Sequence, residues 1–276
     1  MTASWALIRK QIVDSRWMLG FSAAALFGLS WLFDYATSRI EERLRQAAEL
    51  GGTARPMRML RGMGGDAMDF SSPAIEMAFW KHPFIVLTFA IWAISRGSAA
   101  VAAEVERGTM DLILSRPVSR TRYLASQVAV ALTGLAVLAG ALILGNWLAT
   151  RYNPIQDPPS LALLLKPSAN LAALGLAVYG YTLLCSALDS VRWRPNLIAS
   201  VVTLAGFIAN VVANLPTLED WKWLEKFSIF KAFDPVEVVT KGQTLGFNLA
   251  ILSGLGVAGV VLAFLAFSVR DLPSNA

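Results

Sequence analysis

The sequence predicts an all-α integral membrane protein with six transmembrane helices, on three observations. Only 16% of the 276 residues are charged and 55% are hydrophobic, against about 25% charged in an ordinary soluble domain. The charges cluster, leaving apolar runs long enough to cross the roughly 30 Å hydrocarbon core, which takes about 20 helical residues. Backbone groups in lipid must also find partners within their own segment, which selects helices for runs of this length. The mean hydropathy of +0.53 agrees, and residues 1–276 read as one membrane domain.

The first element is amphipathic. Within residues 1–16, Trp5, Ile8 and Ile12 share a helical face, with Arg9 and Lys10 turned away. That pattern predicts an elbow helix lying in the inner interface before the first span. The charges are spread along it and no small-residue cleavage site follows, unlike a cleavable signal peptide. The spans are predicted at 17–36, 84–103, 124–148, 170–188, 197–213 and 247–269. The second is interrupted by Ser95-Arg96-Gly97-Ser98, and the fifth is short and carries Asn210.

The loop between the first two spans, residues 37–82, has helical features of its own. Ser38 with Glu41 forms a capping box, followed by Ile40, Leu44 and Ala47 at helical spacing until Gly51-Gly52. A second helix is predicted from Ser72 as N-cap and Pro73, presenting Ile75, Phe79 and Trp80 toward the membrane. In the last outer loop, LEDWKWLEKF reads as an amphipathic interfacial helix with Trp221, Leu224 and Phe227 at the wet–dry boundary.

Six spans place both termini on one side. With that side inward, the short inner segments hold Arg9, Lys10, Arg16, Arg107, Arg116, Arg120, Arg122, Arg192, Arg194 and Arg270. The outer segments hold slightly more basic residues over about twice the length, and long loops weigh little in setting orientation. Density therefore predicts cytoplasmic termini in a cell membrane (plasma or inner). The net charge of +5 is explained by this placement, with no nucleic-acid partner. Cys185, the single cysteine, lies in an apolar run and reads as a small buried hydrophobe.

The stretch EVERGTMDLILSRPVSR, residues 104–120, is the polar exception amid apolar runs. Val105, Thr109 and Leu112 fall on one helical face, Arg107 is placed to pair with Asp111, and Pro117 halts the helix. The prediction is a short helix across the inner face that presents Glu104, Glu106, Arg107 and Asp111 outward, with Arg116, Arg120 and Arg122 at headgroup level. A solvated loop with orientation-setting arginines fits the same residues.

This stretch resembles the hallmark segment of ABC-2-type transporter membrane subunits, E-x-E-x-G-T-L-x-L-L-L-x-x-P-V-S-R. Glu104, Glu106, Gly108, Thr109, Leu112, Leu114, Pro117, Val118, Ser119 and Arg120 fit it, while Met110 and Ile113 stand where leucine is common. KHPFIVL before the second span and FSIFKAFDPVEVVTKGQ before the last extend the resemblance. It implies a permease subunit of an ATP-driven exporter. The segment 104–116 would be a coupling helix docked on a separate ABC ATPase, through Glu104, Glu106, Arg107, Gly108, Thr109, Asp111, Leu112, Ser115, Arg116, Pro117 and Arg120. ATP and Mg would sit on that partner, with no cofactor in this chain. The sequence has no G-x-x-x-x-G-K-[ST] phosphate cradle. Gly108 would allow close approach of the partner or mark a local helix irregularity.

Six spans are few for a complete pathway, which implies a second permease subunit, identical or related. Ala250, Gly254 and Ala258, and Ala136 with Gly140, repeat at four-residue spacing and are packing or dimer candidates. Arg96, Asn210 and Asn214 are pathway candidates. For Arg96, snorkelling to the inner headgroups is favoured, and for the asparagines interhelical hydrogen bonding is the simpler role. Asp189 closes the fourth span beside Arg192 as an interfacial pair.

Three other classes fit less well. EERLR at 41–45 offers paired glutamates for an intramembrane metalloenzyme, but His82 is the only histidine and no catalytic constellation accompanies it. Met57, Met59, Met63 and Met68 supply soft sulfur for copper, or merely fill gaps against lipid; no metal site is assigned. An importer permease also has a coupling loop, but later in the chain.

Overall fold

The computed structural model describes residues 3–49, 79–115, 117–153, 159–215, 217–240 and 244–271. Among them, six helices are long and apolar enough to cross a membrane. They are α1 (Ala3–Glu49), α2 (Pro83–Ala100), α5 (Arg120–Tyr152), α6 (Leu161–Leu188), α7 (Trp193–Ala213) and α9 (Leu245–Val269). Two short helices, α3 (Ala102–Glu106) and α4 (Thr109–Leu114), follow α2, and α8 (Pro235–Thr240) precedes α9.

Five of the six helices run past the apolar segments that identify them. The expected elbow is not a separate element: α1 is helical without interruption from residue 3 to residue 49. Its polar N-terminal turns stay helical because Gln11 and Ser15 are buried, and Gln11 Nε2 donates to Ser126 Oγ on α5 at 2.9 Å. Ser38 is likewise no N-cap. It lies inside α1, and its hydroxyl donates to the Tyr35 carbonyl at 2.9 Å. The predicted helix start at Ser72 and Pro73, with Ile75, lies outside the described residues, as do Gly51-Gly52 and the four loop methionines. Phe79 and Trp80 turn inward instead of facing lipid, at 7% and 0% exposure.

α6 is the central helix, packed on α2, α5, α7, α8 and α9, and Pro167 sits buried within it. α1 packs along α5. The closest crossing joins α6 and α9. A Cβ on Gly180 would stand 2.3 Å from the Gly256 carbonyl oxygen, and one on Gly259 would stand 2.5 Å from the Gly180 carbonyl carbon. Only glycine permits backbones to approach this closely. The small residues expected to pack lie elsewhere. Ala250, Gly254, Ala258 and Ala136 are exposed, and Cβ atoms on Gly254 or Gly140 would meet nothing within 4 Å.

Two apolar clusters fill the bundle. One gathers Trp80, Phe89, Trp92, Leu138 and Leu142. The other gathers Ala93, Tyr123, Tyr179, Leu183 and Phe267 at the end bearing α3 and α4. At the opposite end the expected amphipathic α-helix is a 3-10 segment, Glu219–Phe227, with Trp221, Trp223 and Phe227 exposed. The chain then folds back. Phe230 is buried, Asn170 Nδ2 donates to the Ala232 carbonyl at 3.1 Å, and Lys81 pairs with Asp234 at 2.7 Å.

Candidate functional site

Residues 101–115 form a bent, two-helix element where one helix was predicted. Gly108 lies between α3 and α4 with φ of 67°, in the left-handed region that favours glycine. The bend turns Glu104 inward, against the expectation that it faces outward: its side chain is 8% exposed. Lys10 Nζ on α1 reaches both of its oxygens, at 3.0 and 3.2 Å, and the Thr109 hydroxyl donates across the bend to Oε2. Arg107 pairs with Glu104 at 3.7 Å rather than with Asp111. Burial alone would raise the Glu104 carboxyl, but the hydrogen bonds from Thr109 and Lys10, with the charges of Lys10 and Arg107, hold it below the usual carboxylate range.

Glu106 is exposed, and its Oε2 accepts the backbone N–H of Arg192 at 3.0 Å, so a carboxylate caps the start of α7. α4 faces two ways. Met110 is buried at 2%, and Ile113 and Leu114 pack partly against the same apolar cluster. Asp111, Leu112 and Ser115 are exposed, Leu112 at 68%. The structure thus separates Leu112 from Val105, which packs partly against that cluster. Pro117 is exposed just beyond α4, and Arg116 lies outside the described residues.

The same end of the bundle carries paired helix caps. Arg120 Nη1 donates to the carbonyls of Phe267 and Arg270, at 3.0 and 2.6 Å, closing α9. Arg270 Nη1 in turn donates to the carbonyls of Ala187 and Asp189, both at 2.8 Å, closing α6. Cations at helix C-termini match the partial negative charge of the last carbonyls. Asp189 Oδ1 accepts from the Ser190 and Val191 N–H groups and pairs with Arg194 at 3.8 Å, rather than with Arg192. These contacts place residues 10 and 270 at the same end as α3 and α4.

Arg96 does not snorkel. It is 8% exposed and held inside by Gln127, whose Oε1 accepts from Nη2 at 3.0 Å. Gln127 donates onward to the Tyr123 hydroxyl at 2.8 Å, and that hydroxyl donates to the Ala100 carbonyl at 2.6 Å. The structure does not join the asparagines to Arg96. Asn214 is exposed past the end of α7 and donates to the Asn210 carbonyl at 2.7 Å within its own chain segment. Cys185 is half-buried. His82 serves as N-cap of α2, its Nδ1 accepting from the Phe84 N–H at 3.2 Å.

One inward polar residue belongs to no motif. Asp34 on α1 is fully buried, accepts from Asn146 Nδ2 at 3.3 Å, and has no partner for Oδ2 among the described residues. Its signal in the sequence is a lone carboxylate in an otherwise apolar run. Among the described residues there is no cluster of three or more metal-ligating His, Cys, Asp or Glu side chains.

None of the curated proteins compared with the chain matches it. The family model described as ABC-2 membrane transporter related matches residues 66–218, which include α2 to α7 and the whole 104–120 stretch. Membership implies a multi-pass transporter permease that associates in general with an ABC ATPase. With six apolar helices and a match over more than half its length, the chain belongs to the ABC-2 membrane transporter related family.

Proposed function

We propose that the chain is the permease subunit of an ATP-driven exporter in a cell membrane, with both termini cytoplasmic, and that α3 and α4 dock on a separate ATPase subunit. The observation that carries this reading is the two-sided character of α4. Met110 is anchored in the bundle while Leu112, an exposed leucine beside Asp111 and Ser115, is offered to a partner. A buried anchor with an exposed apolar contact is what transmission of a rigid-body movement requires. The Lys10–Glu104 pair would carry the movement into α1, and Glu106 would carry it into α7. ATP and Mg would be held by the partner, and this chain would perform no covalent chemistry.

Two copies would line the pathway. The exposed side of α9 bearing Ala250, Gly254 and Ala258 is a face on which a second permease subunit could pack closely. Leu112→Ala and Asp111→Lys should weaken co-purification of the cognate ATPase while leaving the thermal unfolding of the permease unchanged. An ATPase retained at wild-type yield by the double variant would reject the docking role.

A further inference from the structure

Between α1 and α2, at the end of the bundle bearing α3 and α4, lies a polar cavity of about 120 Å³ lined in part by Gln11, Asp14, Arg96, Ala99, Gln127 and Arg192. A guanidinium carries five N–H donors. In Arg96, Nη2 bonds to the neutral Gln127 amide, Nε has no partner, and no carboxylate lies within ion-pair distance among the described residues. Gln11 is also incompletely satisfied: Nε2 donates to Ser126, and Oε1 has no partner. A buried guanidinium without an anionic partner is costly, so its position calls for one.

The carboxylates nearby do not meet that need. Glu104 also lines the cavity, but Lys10 and Arg107 already match its charge. Asp14 is exposed on α1 and acts on Arg96 only at a distance, without an ion pair between them. Arg192 adds a further positive charge to the wall. Arg96 stands four residues before the end of α2 at Ala100, about 6 Å along the helix axis. That places it near the end of the bundle bearing α3 and α4.

We propose that this cavity binds a phosphate group, with Arg96 donating to the phosphate oxygens and Gln11 accepting from a hydroxyl or ammonium N–H on the same ligand. A glycerophospholipid headgroup and free phosphate share this chemistry, and the place of Arg96 near one end of a membrane-spanning helix favours the headgroup. Phosphatidylglycerol and phosphatidylethanolamine offer the N–H or O–H that Gln11 can accept, and phosphatidylcholine does not. Asp111 and Leu112, the residues that test ATPase docking, do not line the cavity, so loss of docking through them would leave it intact.

The test is native mass spectrometry of the delipidated full chain, with phosphatidylglycerol, phosphatidylethanolamine, phosphatidylcholine or inorganic phosphate added separately. Arg96→Gln should lower retention of phosphatidylglycerol roughly tenfold, the loss of one charge-assisted contact. Ala99→Leu, which narrows the cavity but keeps Arg96, should do the same, and Arg151→Gln at the far end of α5 should not. Phosphatidylcholine should be retained more weakly than phosphatidylglycerol. Arg96-dependent binding of inorganic phosphate that displaces the lipid would identify free phosphate as the ligand. If Arg96→Gln fails to fold, Ala99→Leu decides alone. Wild-type retention of both lipid and phosphate by a folded Ala99→Leu protein, or by a folded Arg96→Gln protein, overturns the proposal.

Discussion

Arg120, at the start of α5, donates from Nη1 to the carbonyl of Arg270 at 2.6 Å, and Arg270 donates to the last carbonyls of α6. Two arginines thereby close two helix ends and tie three helices together. Each bond from a charged donor is worth about 2 kcal/mol where it leaves no group unpaired. Arg120→Ala should lower the apparent melting temperature in detergent, and Arg120→Lys should recover only part of the loss because the lysine side chain is one bond shorter and loses the guanidinium packed over the Phe267 ring. Equal melting of the lysine variant and wild type would show that one donor suffices.

Glu104 predicts a pH dependence. Its carboxyl is held below the ordinary glutamate value of 4.5 by Thr109, Lys10 and Arg107, against the opposing effect of burial. Its contribution to stability is thus fully present above that ordinary value and is lost as pH falls through the lower folded-state value. Glu104→Gln should cost about 2 kcal/mol at pH 7, through the lost charged hydrogen bonds, and progressively less as the pH falls below 4.5. Thermal unfolding of both proteins across that interval checks the sign; a penalty that grows on acidification contradicts it.

Gly108 predicts a backbone effect. Its φ of 67° is left-handed, which costs a residue with a Cβ roughly 1–2 kcal/mol. Gly108→Ala should destabilise the bend between α3 and α4, and Gly108→Asn should do so less, since asparagine tolerates this region. Hydrogen exchange at the amides of α4 would report it as faster opening in the alanine variant.

The two glycine faces of α9 should behave differently. Gly256 lies against the backbone of α6, whereas Gly254 faces open space. Gly256→Leu should disrupt the bundle itself and reduce the yield of folded protein. Gly254→Leu should leave the single chain folded and reduce crosslinking between permease copies. Undiminished crosslinking in Gly254→Leu would remove that face from the subunit interface.

The spans were legible in the sequence because a membrane leaves a local record: each is a long, predominantly apolar run. Their ends were not. α1 extends beyond its apolar stretch because Gln11 and Lys10 find partners on other elements, and nothing in the neighbouring residues announces those partners. Glu104 illustrates the same limit. A carboxylate in a charged stretch reads as surface, and its burial depends on Lys10, which is 94 residues away. On α9, small residues occupy more than one face, so spacing alone chose Gly254 where the close crossing uses Gly256 and Gly259. Arg96 was conspicuous as a charge inside a span, but its inward direction came from Gln127.

The uninterrupted course of α1 has a mechanical meaning. Its 47 residues extend about 70 Å, more than twice the hydrocarbon thickness, with no joint described along the way. A displacement delivered to Lys10 would travel along one continuous helix to Asp34 and the stretch beyond. This first helix is therefore a tie-rod between the two faces of the membrane, able to report at one what happens at the other.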